Sequence, residues 1–128
     1  MSYTLNNDFI RLVNIGKGTF GTVYKGYSLS KGNHFAIKKI NDENKFRKCA
    51  LNEIKILTYL ETLRNDNFPI VKFYDDFIEN NIQYLVFEYL DMNLYIYHKK
   101  NSFNLDINTI LNITSNICLG LQYIHTKY

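Results

Sequence analysis

Ile15-Gly16-Lys17-Gly18-Thr19-Phe20-Gly21-Thr22-Val23-Tyr24, then Phe35-Ala36-Ile37-Lys38, is the stretch from which the rest of the chain is read. Glycine lacks a Cβ, so the backbone at Gly16, Gly18 and Gly21 can approach a ligand closely and take positive φ at low cost. Consecutive N–H groups in such a loop can face phosphate oxygens. The residues just after the third glycine decide between folds. A dinucleotide-binding fingerprint opens a helix there, whereas Thr22-Val23-Tyr24-Lys25 alternates like a strand. A Walker loop needs Gly-Lys-Ser/Thr after four spacer residues, and Gly16-Lys17-Gly18-Thr19 does not supply it. The glycines therefore join two strands, and Ala36-Ile37-Lys38 lies on a third.

Outward from this stretch, composition describes a folded domain: 128 residues, 46% hydrophobic and 16% aromatic, enough for a core. The net charge of +3 comes without a basic run longer than two, which gives nucleic-acid binding no support. Cys49 and Cys118 have no metal-type spacing, and no metal site is expected. They suit reduced thiols of an intracellular protein, cytoplasmic or nuclear. Asn6, Asn7, Asp8 and Arg11 interrupt any apolar leader, and no stretch is long and apolar enough to span a membrane.

Residues 1–8 are predicted to be a polar lead-in. Strands are predicted over Phe9–Ile15, Thr22–Leu29 and His34–Ile40. A helix is predicted over Lys45–Leu63, from Phe46, Ala50, Ile54, Leu57 and Leu60 at helical spacing. Glu53 falls inside that apolar stripe, where a carboxylate must be paired or costs several kcal/mol. Two more strands, Ile70–Ile78 and Ile82–Tyr89, flank Glu79-Asn80-Asn81. A short helical stretch from Asp91 to Lys100 leads to a second long helix from Leu105 to about Tyr128. One face of it carries Ile110, Ile113, Ile117, Leu121 and Ile124.

The glycine loop, Ala36-Ile37-Lys38, the helix with Glu53 and Phe87-Glu88-Tyr89-Leu90 stand in the order of a eukaryotic protein kinase, which the chain resembles throughout its length. Leu85 to Tyr95 is similar to the dual-specificity tyrosine-regulated group. The resemblance implies an α+β fold. Residues 1–90 would form an N-lobe of five antiparallel strands and one long helix, and 91–128 the first helices of an incomplete C-lobe. It implies that the loop covers the phosphates of ATP, with Ile15 and Val23 against one face of adenine and Ala36 beside the purine. Lys38 would meet the α- and β-phosphates and pair with Glu53. Lys38 rather than Lys39 is chosen because residues two apart on a strand share a face, and Lys38 shares that of Ala36. Phe87 falls at the gatekeeper position, and the backbone of Glu88 and Leu90 would bond the adenine edge. Asn93 matches a place near the ribose and equally suits a helix N-cap.

Kinase chemistry also needs an aspartate for the substrate hydroxyl and ligands for Mg²⁺. Neither His-Arg-Asp-x-x-x-x-Asn nor Asp-Phe-Gly occurs in these 128 residues. The expectation is the ATP-binding part of a kinase acting on protein Ser/Thr, or on Tyr as well, with a protein substrate or a partner kinase segment. The alternative is a non-catalytic decoy or scaffold. A dinucleotide-dependent oxidoreductase is disfavoured by the strand after Gly21. Residues 1–100 are expected to be the stable unit, with the apolar face of the last helix open to water or a partner.

Overall fold

The computed structural model describes residues 4–127, with the side chains of Leu12 and Lys127 excepted. Among the described residues the elements are, in order, β1 (Thr4–Leu5), β2 (Phe9–Lys17), β3 (Gly21–Ser28), β4 (Asn33–Ile40), α1 (Asn44–Thr62), β5 (Phe73–Glu79), β6 (Ile82–Glu88), α2 (Leu94–Lys100) and α3 (Ile107–Lys127). The strands form one antiparallel sheet ordered β1-β2-β3-β4-β6-β5. This is the curled sheet and long helix that the resemblance implies, with one addition.

The addition is β1, so the sheet has six strands rather than five. Asn6 and Asn7 take left-handed φ of 49° and 55°, which asparagine tolerates better than most residues. The chain turns back, Asp8 N–H bonds Leu5 O (3.0 Å), and Leu5 pairs with Phe9. Asn80 and Asn81 do the same between β5 and β6, with φ of 50° and 61°. The polar lead-in is thus half of a hairpin; its residues 1–3, like Tyr128, lie outside the described residues. Asp8 then fastens this turn to the β3–β4 connection. Its carboxylate accepts from Ser28 Oγ and from Ser30 N–H, both at 2.7 Å. The Ser28 hydrogen bond above all holds the Asp8 carboxyl below its ordinary value of 3.8.

Other boundaries move for local reasons. β5 begins at Phe73 rather than Ile70, because Arg64 Nη2 takes the Ile70 carbonyl (3.0 Å) and Pro69 has no N–H to give. α2 begins at Leu94 because Asn93 caps it, its Oδ1 accepting from Ile96 N–H (2.9 Å). α3 begins at Ile107 because Asp106 Oδ1 accepts from Thr109 N–H (2.8 Å).

Two apolar clusters lie on opposite faces of the sheet. Leu5, Phe9, Phe35, Ile37, Phe77, Tyr84 and Val86 form one; Ile40, Phe46, Ala50, Phe73 and Leu85 form the other, under α1. Side chains alternate across a strand, so Tyr84 and Val86 serve the first cluster and Leu85 the second. That is why β6 is continuously apolar. The sheet curls until Phe9 of β2 stacks on Phe77 of β5 (6.1 Å), and Glu79 Oε1 accepts from Asn6 N–H (3.3 Å).

The chain divides into two compact units. One runs to Leu63 and resumes over Val71–Tyr89; the other comprises Arg64–Ile70 and the chain from Leu90 onward. In the second, the Phe68 ring packs on Tyr123 of α3 (4.8 Å) under the Arg64 guanidinium (4.8 Å). A Cβ on Gly120 would stand 3.0 Å from Pro69 O, so glycine permits this close approach of helix to loop.

Candidate functional site

In the first unit the register aligns the singled-out residues. Gly16 on β2 faces Val23 on β3, Val23 faces Lys38 on β4, and Lys38 faces Leu85 on β6. Two pairs along, Ala36 faces Phe87. Directly opposed residues share a face, so Val23, Ala36, Lys38 and Phe87 lie on the side of the sheet that α1 covers. Lys39 faces Tyr84 instead, on the other side.

Lys38 Nζ donates to both carboxylate oxygens of Glu53, at 2.8 Å each. The charge-assisted, two-oxygen geometry is the stronger kind of pair. The two side chains are 22% and 37% exposed, so the ammonium is held in place yet open to a further anion. The carboxylate in the apolar stripe of α1 is paired, as its position demands. Helix α1 is itself held: Arg47 bonds Asp42 and donates to Asn81 O (2.7 Å), in the β5–β6 turn. Arg47 has no signal in sequence, being one cation on an exposed turn of helix.

The glycine loop departs from expectation in two respects. Gly32 is the glycine with positive φ (63°), and Gly16, Gly18 and Gly21 are not. Two of the loop's N–H groups are also taken internally: Gly16 N–H bonds Asn14 Oδ1 (3.0 Å) and Gly18 N–H bonds Gly21 O (2.9 Å). The three glycines differ in purpose. A Cβ on Gly21 would lie 2.0 Å from Lys39 O, so the sheet itself requires glycine there. A Cβ on Gly18 would meet nothing within 4 Å, and on Gly16 only ordinary contact with Val23. The space beside the Gly18 Cα is open. Ile15, just before the loop, is exposed.

At the end of β6, the half-buried Phe87 ring packs on Phe73 (5.6 Å) beside the second apolar cluster. Glu88 N–H bonds Lys72 O (2.9 Å), and its carboxylate accepts from Lys72 N–H (2.7 Å). The Glu88 side chain therefore takes the Lys72 donor that its main-chain carbonyl would otherwise meet. Leu90 and Asn93 belong to the second unit, where Leu90 is exposed and Asn93 caps α2. Among the described residues no three His, Cys, Asp or Glu side chains gather to hold a metal ion. The described residues thus offer no cluster that fits a Mg²⁺ site. No described helix is long and apolar enough to cross a membrane.

Sequence comparison bears on the same residues. The family described as "Protein kinase domain" matches residues 9–128. A "Probable serine/threonine-protein kinase dyrk2" of Dictyostelium discoideum is 36% identical over 115 residues, 88% of this chain and 13% of that protein. A "Putative dual specificity tyrosine-phosphorylation-regulated kinase 3 homolog" of Drosophila melanogaster is 39% identical over 92 residues, 70% of this chain and 11% of its own length. "Homeodomain-interacting protein kinase 4" of Mus musculus is 37% identical over 89 residues, 70% of this chain and 14% of its own length. The chain thus spans well under a fifth of these curated relatives.

Proposed function

The chain belongs to the protein kinase family, and we propose that it is the ATP-binding part of a serine/threonine or dual-specificity kinase. The observation that carries this reading is the Lys38–Glu53 pair, in one cross-strand row with Gly16 and Val23. A lysine kept extended by a carboxylate presents a fixed positive charge to the α- and β-phosphates. The loop over Gly18 leaves room for those phosphates. Ile15, Val23 and Ala36 supply small or apolar surface for adenine, with Phe87 behind them. The Glu88 carbonyl takes a donor from the purine edge. Leu90 and Asn93 enter through the family resemblance alone.

ATP brings the transferable γ-phosphoryl, and Mg²⁺ with it would neutralise the phosphate charge. Transfer to a protein hydroxyl needs an aspartate for the proton and ligands for the metal. These 128 residues contain neither the His-Arg-Asp nor the Asp-Phe-Gly motif. The chain by itself therefore binds nucleotide without turning it over. Radiolabelled ATP with a generic protein substrate checks this: label transfer well above that of a Lys38→Met variant would contradict it.

Titration with a fluorescent ATP analogue tests the binding reading. Lys38→Met removes a charge-assisted contact worth about 1.5–3 kcal/mol, or roughly 10- to 100-fold in affinity. Lys39→Met, on the other face, changes affinity by less than about 2-fold. Equal losses would mean that the wrong lysine is assigned. No binding by the unaltered chain would favour a scaffold, a reading for which the exposed apolar residues of α3 speak.

A further inference from the structure

We infer that Asn41 is a positioning residue for the glycine loop, holding the Thr19–Phe20 turn with its carbonyls averted from the nucleotide phosphates. This deepens the ATP-binding reading and rests on it. Asn41 stands directly after the last residue of β4, three positions beyond Lys38. Its side-chain Nδ2 donates to Thr19 O (2.8 Å), and its main-chain N–H donates to Phe20 O (2.9 Å). One residue thus takes two successive carbonyls at the loop tip.

Peptide geometry supplies the consequence. In a planar trans peptide, the C=O of one residue and the N–H of the next point in opposite directions, and among the described residues no peptide is cis. Turning the Thr19 and Phe20 carbonyls toward Asn41 turns the Phe20 and Gly21 N–H groups away from it. A carbonyl oxygen repels a phosphate and an N–H attracts one. The Gly16 and Gly18 N–H groups are already taken within the loop, so the Phe20 and Gly21 donors weigh more in its fitness for an anion. Thr19 and Phe20 are exposed and a Cβ on Gly18 would meet nothing within 4 Å, so the turn needs an external tether. The Phe20 ring adds a second, meeting Phe46 of α1 edge-on (5.5 Å). The segment that carries Lys38 and the helix that carries Glu53 thereby both hold the loop.

Asn41→Ala and Asn41→Leu remove the amide donor, the second at nearly constant volume, and leave the main-chain bond. Each variant and the unaltered 128-residue chain are titrated with ATP and separately with adenosine, by displacement of a fluorescent nucleotide analogue. Loss of one neutral hydrogen bond corresponds to roughly 2- to 10-fold. Both variants are expected to lose that much affinity for ATP while adenosine affinity stays within about 2-fold, because adenosine has no phosphates. Unchanged ATP affinity, or parallel losses for ATP and adenosine, would overturn the inference, since a merely structural residue moves both ligands together. An unaltered chain that binds adenosine but gains nothing from phosphates would overturn it too, with the ATP reading intact only at the purine. An unaltered chain that binds neither would overturn the ATP reading, and this inference with it.

Discussion

Strand β6 and helix α3 are both written in apolar residues, and they end differently. In β6, Tyr84, Leu85 and Val86 are each buried, because apolar clusters cover the two faces of the sheet. In the 21 residues of α3, Gly120 alone is buried among the described residues. Ile110, Ile117 and Leu121 are exposed, Ile117 by 54%, while Ile113 and Ile124 are half-covered. At its C-terminal half α3 is covered by Arg64–Ile70. Periodicity says which residues seek cover; whether neighbouring chain supplies it is a separate question. An exposed apolar stripe of this size also favours association.

Hydrogen exchange gives the largest contrast. Amides of β4 and β6 should exchange only through near-global opening, and those of Ile110–Leu121 at least about 100-fold faster. Equal protection in a clean monomer, checked by size-exclusion chromatography, would break the comparison. Truncation sharpens it. Leu85→Ala, at a fully buried position, should cost about 2–5 kcal/mol in urea denaturation. Ile117→Ala should stay within about 0.5 kcal/mol, and a larger cost would reveal cover in solution.

The same logic separates two glycines of one loop. Gly21→Ala drives a Cβ against Lys39 O and should cost about 1–3 kcal/mol of stability. Gly18→Ala meets open space and should leave thermal unfolding nearly unchanged; any loss should show in nucleotide affinity. A drop in melting temperature for Gly18→Ala equal to that for Gly21→Ala would refute the division.

The smallest effect concerns the β1–β2 turn. The folded value of Asp8 lies below its ordinary 3.8, chiefly through the Ser28 hydroxyl. A lowered carboxyl value stabilises the fold above the unfolded value, and that contribution disappears as pH falls through the folded one. The urea midpoint of the unaltered chain should therefore fall between about pH 5 and the region below 3.8. Asp8→Asn should flatten that fall. Identical slopes would show that Asp8 does not anchor the turn.

Much of this was legible in the sequence. The strands around the glycine loop, helix α1 and the opposite facing of Lys38 and Lys39 all follow from residue spacing, because strand and helix periods are local properties of the backbone. The pairing demanded of Glu53 came from the cost of an unpaired carboxylate in an apolar stripe, and its partner from the family resemblance. The Asn-Asn turn at Asn80-Asn81 is legible because apolar runs flank it. Its counterpart at Asn6-Asn7 is not, because a two-residue strand leaves too short a pattern.

Only the tertiary structure decided the meetings between residues distant in sequence. Asn41 reaches Thr19, Arg47 reaches Asn81, and Phe9 reaches Phe77. Gly21 is required by a carbonyl 18 positions later, at Lys39. None of these partners is marked by composition or period, since a hydrogen bond or a steric limit is set by where the folded sheet brings two atoms. The sequence by itself determined most of the elements and the need of Glu53 for a partner. The curl of the sheet decided which carbonyls are held, which glycine is indispensable and how much of each apolar face is covered.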